Sequence, residues 1–209
     1  MESARSRPVA LFVQFATAAL TVFVLVQLWG TVASRGPEAR VKELMPAIGA
    51  ELVDRALSPA QLDYLLKRPM GASAPDLKLA DFKPGQVIFL NFWATWCEPC
   101  VREMPSMLSL MRTLGDRRFT MLAVSYDESD AELLTFFRRF TGGLPREITV
   151  ARDPAGDEPS NLRLSLGTQK LPETYIIQDG RVLARFVNER DWTDPAIVEY
   201  FQRLLESAQ

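Results

Sequence analysis

The sequence predicts an α/β domain, a central mixed sheet flanked by helices, preceded by one N-terminal transmembrane helix. Three observations carry that expectation. The run Val87-Ile88-Phe89-Leu90-Asn91-Phe92-Trp93 has the length and residue types of a buried strand, and it leads into Cys97-Glu98-Pro99-Cys100 at the head of a helical pattern. Beyond residue 70, strand-like and helix-like stretches alternate and end in a hairpin and a last helix. Near the N-terminus, no charged residue occurs between Arg7 and Arg35.

In chain order, residues 1–8 are a short polar stretch. Residues 9–30 form the expected anchor; their apolar core spans about 31 Å as a helix, the thickness of a bilayer's hydrocarbon. A cleaved signal peptide is the competing reading, with 31–33 as a tolerable cleavage site. The apolar stretch is longer than the roughly 7–15 residues of such peptides, which favours a retained anchor. Residues 31–69 read as a partly helical spacer. Helical character extends over 38–57 despite Pro46, and Ser58-Pro59 supplies an N-cap and a first helical residue for a following short helix.

Residues 70–209 read as one globular domain. Residues 75–79 suggest a first edge strand, followed by the buried strand and the helix that opens at the two cysteines. Cys100, Met104, Met107, Leu108 and Met111 recur on one face of that helix, and Pro105 is expected to kink it. Residues 119–124 form a second buried strand. Ser129 and Glu132 make a capping box for a helix containing Leu133 and Phe137, ended by Gly142-Gly143. A short strand over 147–150 and a short helix over 160–166 come next. Asp179-Gly180 suits a two-residue turn between strands 174–178 and 181–187. Asp194-Pro195 starts the last helix, with Ile197, Val198, Phe201, Leu204 and Leu205 as its buried stripe. Strand, dithiol helix, strand, helix, antiparallel hairpin and final helix is the order of a thioredoxin fold.

Composition narrows the chemistry. The 209 residues carry a net charge of −2, two cysteines and no histidine. Nothing there attracts nucleic acid. Without histidine there is no Ser-His-Asp or Cys-His catalysis and no histidine metal ligand, so two cysteines supply only half of a zinc site. Covalent haem attachment needs a histidine after the second cysteine, where this chain has Val101. A structural bridge closing so small a loop constrains the unfolded chain little. The Cys-x-x-Cys pair therefore reads as a redox dithiol, with no metal and no cofactor beyond the Cys97–Cys100 disulfide. Cys97, at the helix start, has the more easily formed thiolate and is the expected nucleophile; Cys100 resolves the mixed disulfide. Trp93 reads as core, whereas Trp96, beside the nucleophile, shields it or contacts substrate. Glu98 and Pro99 separate the thiols, and the charge of Glu98 opposes formation of the Cys97 thiolate. Glu103 sits on the neighbouring helix surface, where spacing alone favours a solvated side chain.

Residues 91–105, Asn-Phe-Trp-Ala-Thr-Trp-Cys-Glu-Pro-Cys-Val-Arg-Glu-Met-Pro, resemble the membrane-anchored extracytoplasmic thioredoxin-like reductases of the TlpA/ResA type. Leu171-Pro172-Glu173-Thr174-Tyr175 and the Asp179-Gly180 hairpin fit the same family. The resemblance covers about residues 70–209, and the spacer matches no pattern of the family. It implies a domain on the periplasmic or outer face of the cytoplasmic membrane, with residues 1–8 inside. The activity it implies is reduction of protein disulfides during cytochrome c or copper-centre assembly, with re-reduction by a membrane electron donor. It further implies that Glu103 assists the thiol chemistry. Pro172 is implied to be cis and to face the dithiol, with the backbone of Leu171 presented to an extended substrate segment. A disulfide-forming oxidase, a copper-binding metallochaperone and a thiol peroxidase on the same fold are the competing functions; the copper protein typically adds a distant histidine, absent here.

Overall fold

The computed structural model describes residues 37–72, 74–115, 118–155 and 161–207. The stretch 9–30, expected to span a membrane, lies outside them; among the described residues no helix is long and apolar enough to cross one. Helix α1 (Pro37–Leu44) leads to strand β1 (Glu51–Ala56) and the one-turn helix α2 (Pro59–Leu62). A 3-10 turn over Leu79–Asp81 precedes β2 (Val87–Trp93), α3 (Glu98–Leu114), β3 (Phe119–Ser125) and α4 (Asp130–Phe140). The chain continues through β4 (Thr149–Arg152), α5 (Leu162–Leu166), β5 (Glu173–Gln178), β6 (Arg181–Val187) and α6 (Pro195–Ser207).

The six strands make one mixed sheet in the order β1-β6-β5-β2-β3-β4. Strands β2, β3 and β4 run parallel, while β5 lies antiparallel to β2, and β6 to both β5 and β1. Every residue of β2 is buried, as expected for a central strand covered on both faces. Among them Asn91 is the only polar one, so it must find partners inside the protein.

Register decides where the chemistry sits. Trp93 at the end of β2 pairs with Ser125 at the end of β3, and Phe92 pairs with Glu173 at the start of β5. Glu173 in turn pairs with Val187 at the end of β6. Four connections therefore emerge at one end of the sheet: the Cys-x-x-Cys turn, the turn at Asp127, Leu171-Pro172 and the loop 188–192.

Several expectations hold. Ser129 and Glu132 form the capping box of α4. The β5–β6 turn places Asp179 and Gly180 at φ 48° and 70°, the left-handed pair that a two-residue hairpin turn requires. The Asp194 carboxylate accepts from the Ala196 N–H at 2.8 Å at the head of α6. Core packing is aromatic: Phe89 contacts Trp192 edge-on at 4.5 Å, and Phe119 contacts Phe201 at 5.1 Å.

Other expectations need correction. Helical character does not persist to Leu57; α1 ends at Leu44, before Met45-Pro46, where the residue preceding proline is pushed out of the helical region. Residues 51–56, within the stretch read as spacer, instead form an edge strand on β6. Its side chains are mostly exposed, so backbone pairing rather than apolar periodicity holds it, which is why its sequence carries no strand signal. The expected edge strand at 75–79 is a single bridge, Leu66 to Leu77, followed by the 3-10 turn. Strand β4 lies two residues later than expected.

Candidate active site

Cys97 is the N-cap residue of the 17-residue helix α3, where free backbone N–H groups and the helix dipole favour an anion on its sulfur. Glu98 and Pro99 occupy the first helical turn, where a missing proline N–H costs nothing. Cys97 and Cys100 are joined in a disulfide, so this is the oxidised state. Cys97 keeps 6% of its surface exposed and Cys100 none. Only Cys97 can be approached from outside.

Trp96 is 68% exposed, a large apolar surface next to the reactive sulfur. Trp93, by contrast, is fully buried against Phe136 and Phe137. Glu98 is exposed and pairs with Arg102 at 2.7 Å, and Arg102 also holds Glu189 at 2.7 Å. Pro99 is half-buried. The Leu171–Pro172 peptide is cis; Pro172 is buried and Leu171 half-buried. The Asn188 N–H donates to the Pro172 carbonyl at 3.2 Å. The sheet register thus gathers Trp96, Cys97, Glu98, Pro99, Leu171 and Pro172 at one end of the domain.

Glu103 departs from what its spacing suggests. It is 3% exposed, on the inner side of α3 one turn beyond Cys100. Asn91 Nδ2 donates to its Oε1 at 3.1 Å, while Trp192 Nε1 and the Arg190 backbone N–H donate to its Oε2 at 3.1 and 3.3 Å. Burial raises its pKa to about 7; the three N–H donors and the positive charge of Arg190 oppose the rise without cancelling it. One wall of an open groove lined by Arg102, Pro105, Ser106, Arg190 and Asp191 is the Glu103 side chain. A carboxyl that gains and loses its proton near neutrality, one turn from the buried thiol, has the chemistry of a proton acceptor.

Sequence reasoning did not single out Asn91, Asp127, Arg190 or Trp192. A polar residue inside a buried strand was the available signal for Asn91, which also donates to Thr174 Oγ1 at 3.0 Å. Asp127 is 3% exposed and fixes the turn before Cys97: the Thr95 N–H and hydroxyl donate to its Oδ1 at 3.1 and 2.5 Å, and the Ser125 hydroxyl donates to Oδ2 at 2.5 Å. No local pattern announces Asp127, Arg190 or Trp192, because the contacts that tie them to the dithiol end, with Thr95 and Glu103, are remote in sequence.

The family model described as AhpC/TSA matches residues 66–185. Thiol-disulfide oxidoreductase ResA of Bacillus thuringiensis subsp. konkukian is 32% identical over 129 residues, 61% of this chain and 68% of that protein. Thiol:disulfide interchange protein DsbE of Pasteurella multocida is 28% identical over 130 residues, 60% of this chain and 65% of that one. A crystal structure described as a DsbE-type thiol:disulfide interchange protein from Chlorobium tepidum superposes with a TM-score of 0.56 at 30% identity, covering 76% of this chain and all of that one. With a dithiol at the head of a helix on a thioredoxin-fold sheet, the chain belongs to the AhpC/TSA family and is a thioredoxin-like thiol-disulfide oxidoreductase.

Proposed function

We propose that this protein is a membrane-tethered, extracytoplasmic reductant of protein disulfides. The observation that carries the reading is the burial of Glu103 one turn behind a fully buried Cys100. In the reduced protein the Cys97 thiolate attacks a substrate disulfide, forming a Cys97–substrate bond and releasing the other substrate sulfur as a thiolate, which takes a proton from water. Cys100 passes its thiol proton to the Glu103 carboxylate and attacks the Cys97 sulfur. The second substrate thiolate leaves, and the Cys97–Cys100 disulfide remains. Two electrons have moved from the dithiol to the substrate. Trp96, Leu171 and Pro172 form the contact surface for the substrate segment.

Direction follows from charge. Glu98 beside Cys97 works against the thiolate, Arg102 offsets part of that, and no cationic side chain lies between the two sulfurs. The potential is accordingly nearer the thioredoxin end, about −270 mV, than the strongly oxidising end near −120 mV. The apolar stretch 9–30 supplies the tether, a membrane electron donor supplies re-reduction, and apoproteins of cytochrome c or copper centres are the expected substrates. The experiment is Cys100→Ala in cells: the mixed disulfide it traps should hold extracytoplasmic proteins, in the membrane fraction, through Cys97. Equilibration of the wild type with a glutathione buffer completes it. Failure to trap anything, or a potential at the oxidising end, overturns the reductant reading.

A further inference from the structure

The loop 188–192 approaches Glu103 with two groups, the Trp192 indole and Arg190. Only the backbone of Arg190 bonds the carboxylate. Its guanidinium is turned away, half-buried, and held by main-chain oxygens: Nη1 donates to the Ile48 carbonyl at 2.6 Å and Nη2 to the Val187 carbonyl at 3.1 Å. The charge lies over the Phe186 ring at 4.8 Å and the Trp192 ring at 5.7 Å. Among the described residues Arg190 forms no ion pair with an acidic side chain, and the carboxylate its charge acts on is that of Glu103.

Ile48 belongs to the turn between α1 and β1. Val41, Met45 and Ile48 bury this N-terminal segment in the core, and Gly49 closes the turn at φ 65° with Arg190 Nη1 3.5 Å from where a Cβ would lie. The other groups around Glu103 do not duplicate Arg190. Asn91 and Trp192 are neutral donors and Cys100 is in the disulfide. Arg102 is engaged by Glu98 and Glu189, and Asp191 accepts from Thr193.

We propose that Arg190 is a positioning residue for the redox pair: its guanidinium, clamped by the Ile48 and Val187 carbonyls, supplies a positive charge that restrains proton uptake by Glu103, and the docked N-terminal segment holds it there. The proposal rests on the reading of Glu103 as proton acceptor for its catalytic meaning, but not for its test. It makes the seating of the segment nearest the expected anchor an input to the dithiol chemistry.

The test follows the Glu103 carboxyl directly, by carbon-detected NMR titration of the full-length oxidised protein, alongside the pH profile of disulfide exchange by the reduced protein. Arg190→Gln should raise the proton affinity of Glu103 by about two- to threefold, a modest effect because the charge is turned away from the carboxylate and burial dominates there. Arg190→Lys keeps the charge but cannot span both carbonyls, and should move it less. Gly49→Val, strained at a positive φ and displacing the Ile48 carbonyl, should move it in the same direction as Arg190→Gln. An unchanged affinity in Arg190→Gln, or Gln and Lys behaving alike, overturns the assignment. A fall in affinity also overturns it, since admitted water would then outweigh lost charge. Movement in Arg190→Gln but none in Gly49→Val removes the N-terminal segment from the mechanism. A displaced carboxyl titration with an unmoved exchange profile refutes the acceptor role of Glu103 and leaves Arg190's effect standing.

Discussion

Two buried carboxylates flank the dithiol, Asp127 holding the turn that precedes it and Glu103 on the helix that follows it, and their surroundings differ. Each is 3% exposed. Asp127 accepts from two hydroxyls and a backbone N–H that all belong to β3 or to the turn carrying Trp96 and Cys97, within a few residues of the ends of two paired strands. It fastens the turn. Glu103 accepts from three N–H groups on two separate segments, β2 and the loop 188–192, borders an open groove, and has its pKa raised to about 7. On the proposed reading it is the group that changes its proton. The difference teaches that burial alone does not make a carboxyl a switch; the surroundings decide whether it serves as a brace or as an acceptor.

The largest effect separating the two is a pH dependence of stability. With its folded pKa raised from an ordinary 4.5 to about 7, Glu103 holds its proton in the native protein after the unfolded chain has lost it. Its contribution is therefore fully present below pH 4.5 and is lost as pH rises toward 7, by about 3 kcal/mol at about 1.4 kcal/mol per pH unit. Urea unfolding of the oxidised protein across that window should show the fall in the wild type and lose this component in Glu103→Gln. The same variant, once reduced, should exchange disulfides at least about tenfold more slowly. A pH slope of stability equal in the two proteins would erase the distinction.

Asp127→Ala should come next, costing about 2 kcal/mol by leaving the Thr95 and Ser125 donors without their acceptor. Its urea midpoint should drop while the shape of the pH–exchange profile stays that of the wild type. A displaced profile would mean that Asp127, too, handles protons.

The smallest effect belongs to Arg102→Ala. Its ion pairs are about half exposed, so roughly 0.5 kcal/mol or less is at stake. Freed from Arg102, Glu98 should push the potential to more negative values by about 10 mV. A shift several times larger would place the electrostatic control of Cys97 at the surface rather than at the helix start.

Much of this was legible without coordinates. The apolar run of β2, the dithiol at the head of α3, the capping box of α4 and the Asp179-Gly180 turn are local signals, each fixed by residues within a few positions of one another. Strand β1 was not legible, because an exposed edge strand is held by backbone bonds that its side chains do not advertise. Glu103 was half legible: its spacing put it beside Cys100, and its burial came only with the neighbours that cover it.

By itself, then, the sequence determined the redox pair, the absence of histidine chemistry and the order of elements from β2 onward, since residue type and local periodicity suffice for these. Only the tertiary structure decided which carboxylates face the dithiol end and in what surroundings. Asn91, Arg190 and Trp192 reach Glu103 from positions as many as 89 residues away along the chain, through the pairing of β2 with β5 and of β5 with β6. Desolvation and the field of a remote charge depend on that three-dimensional convergence, and no linear spacing encodes them.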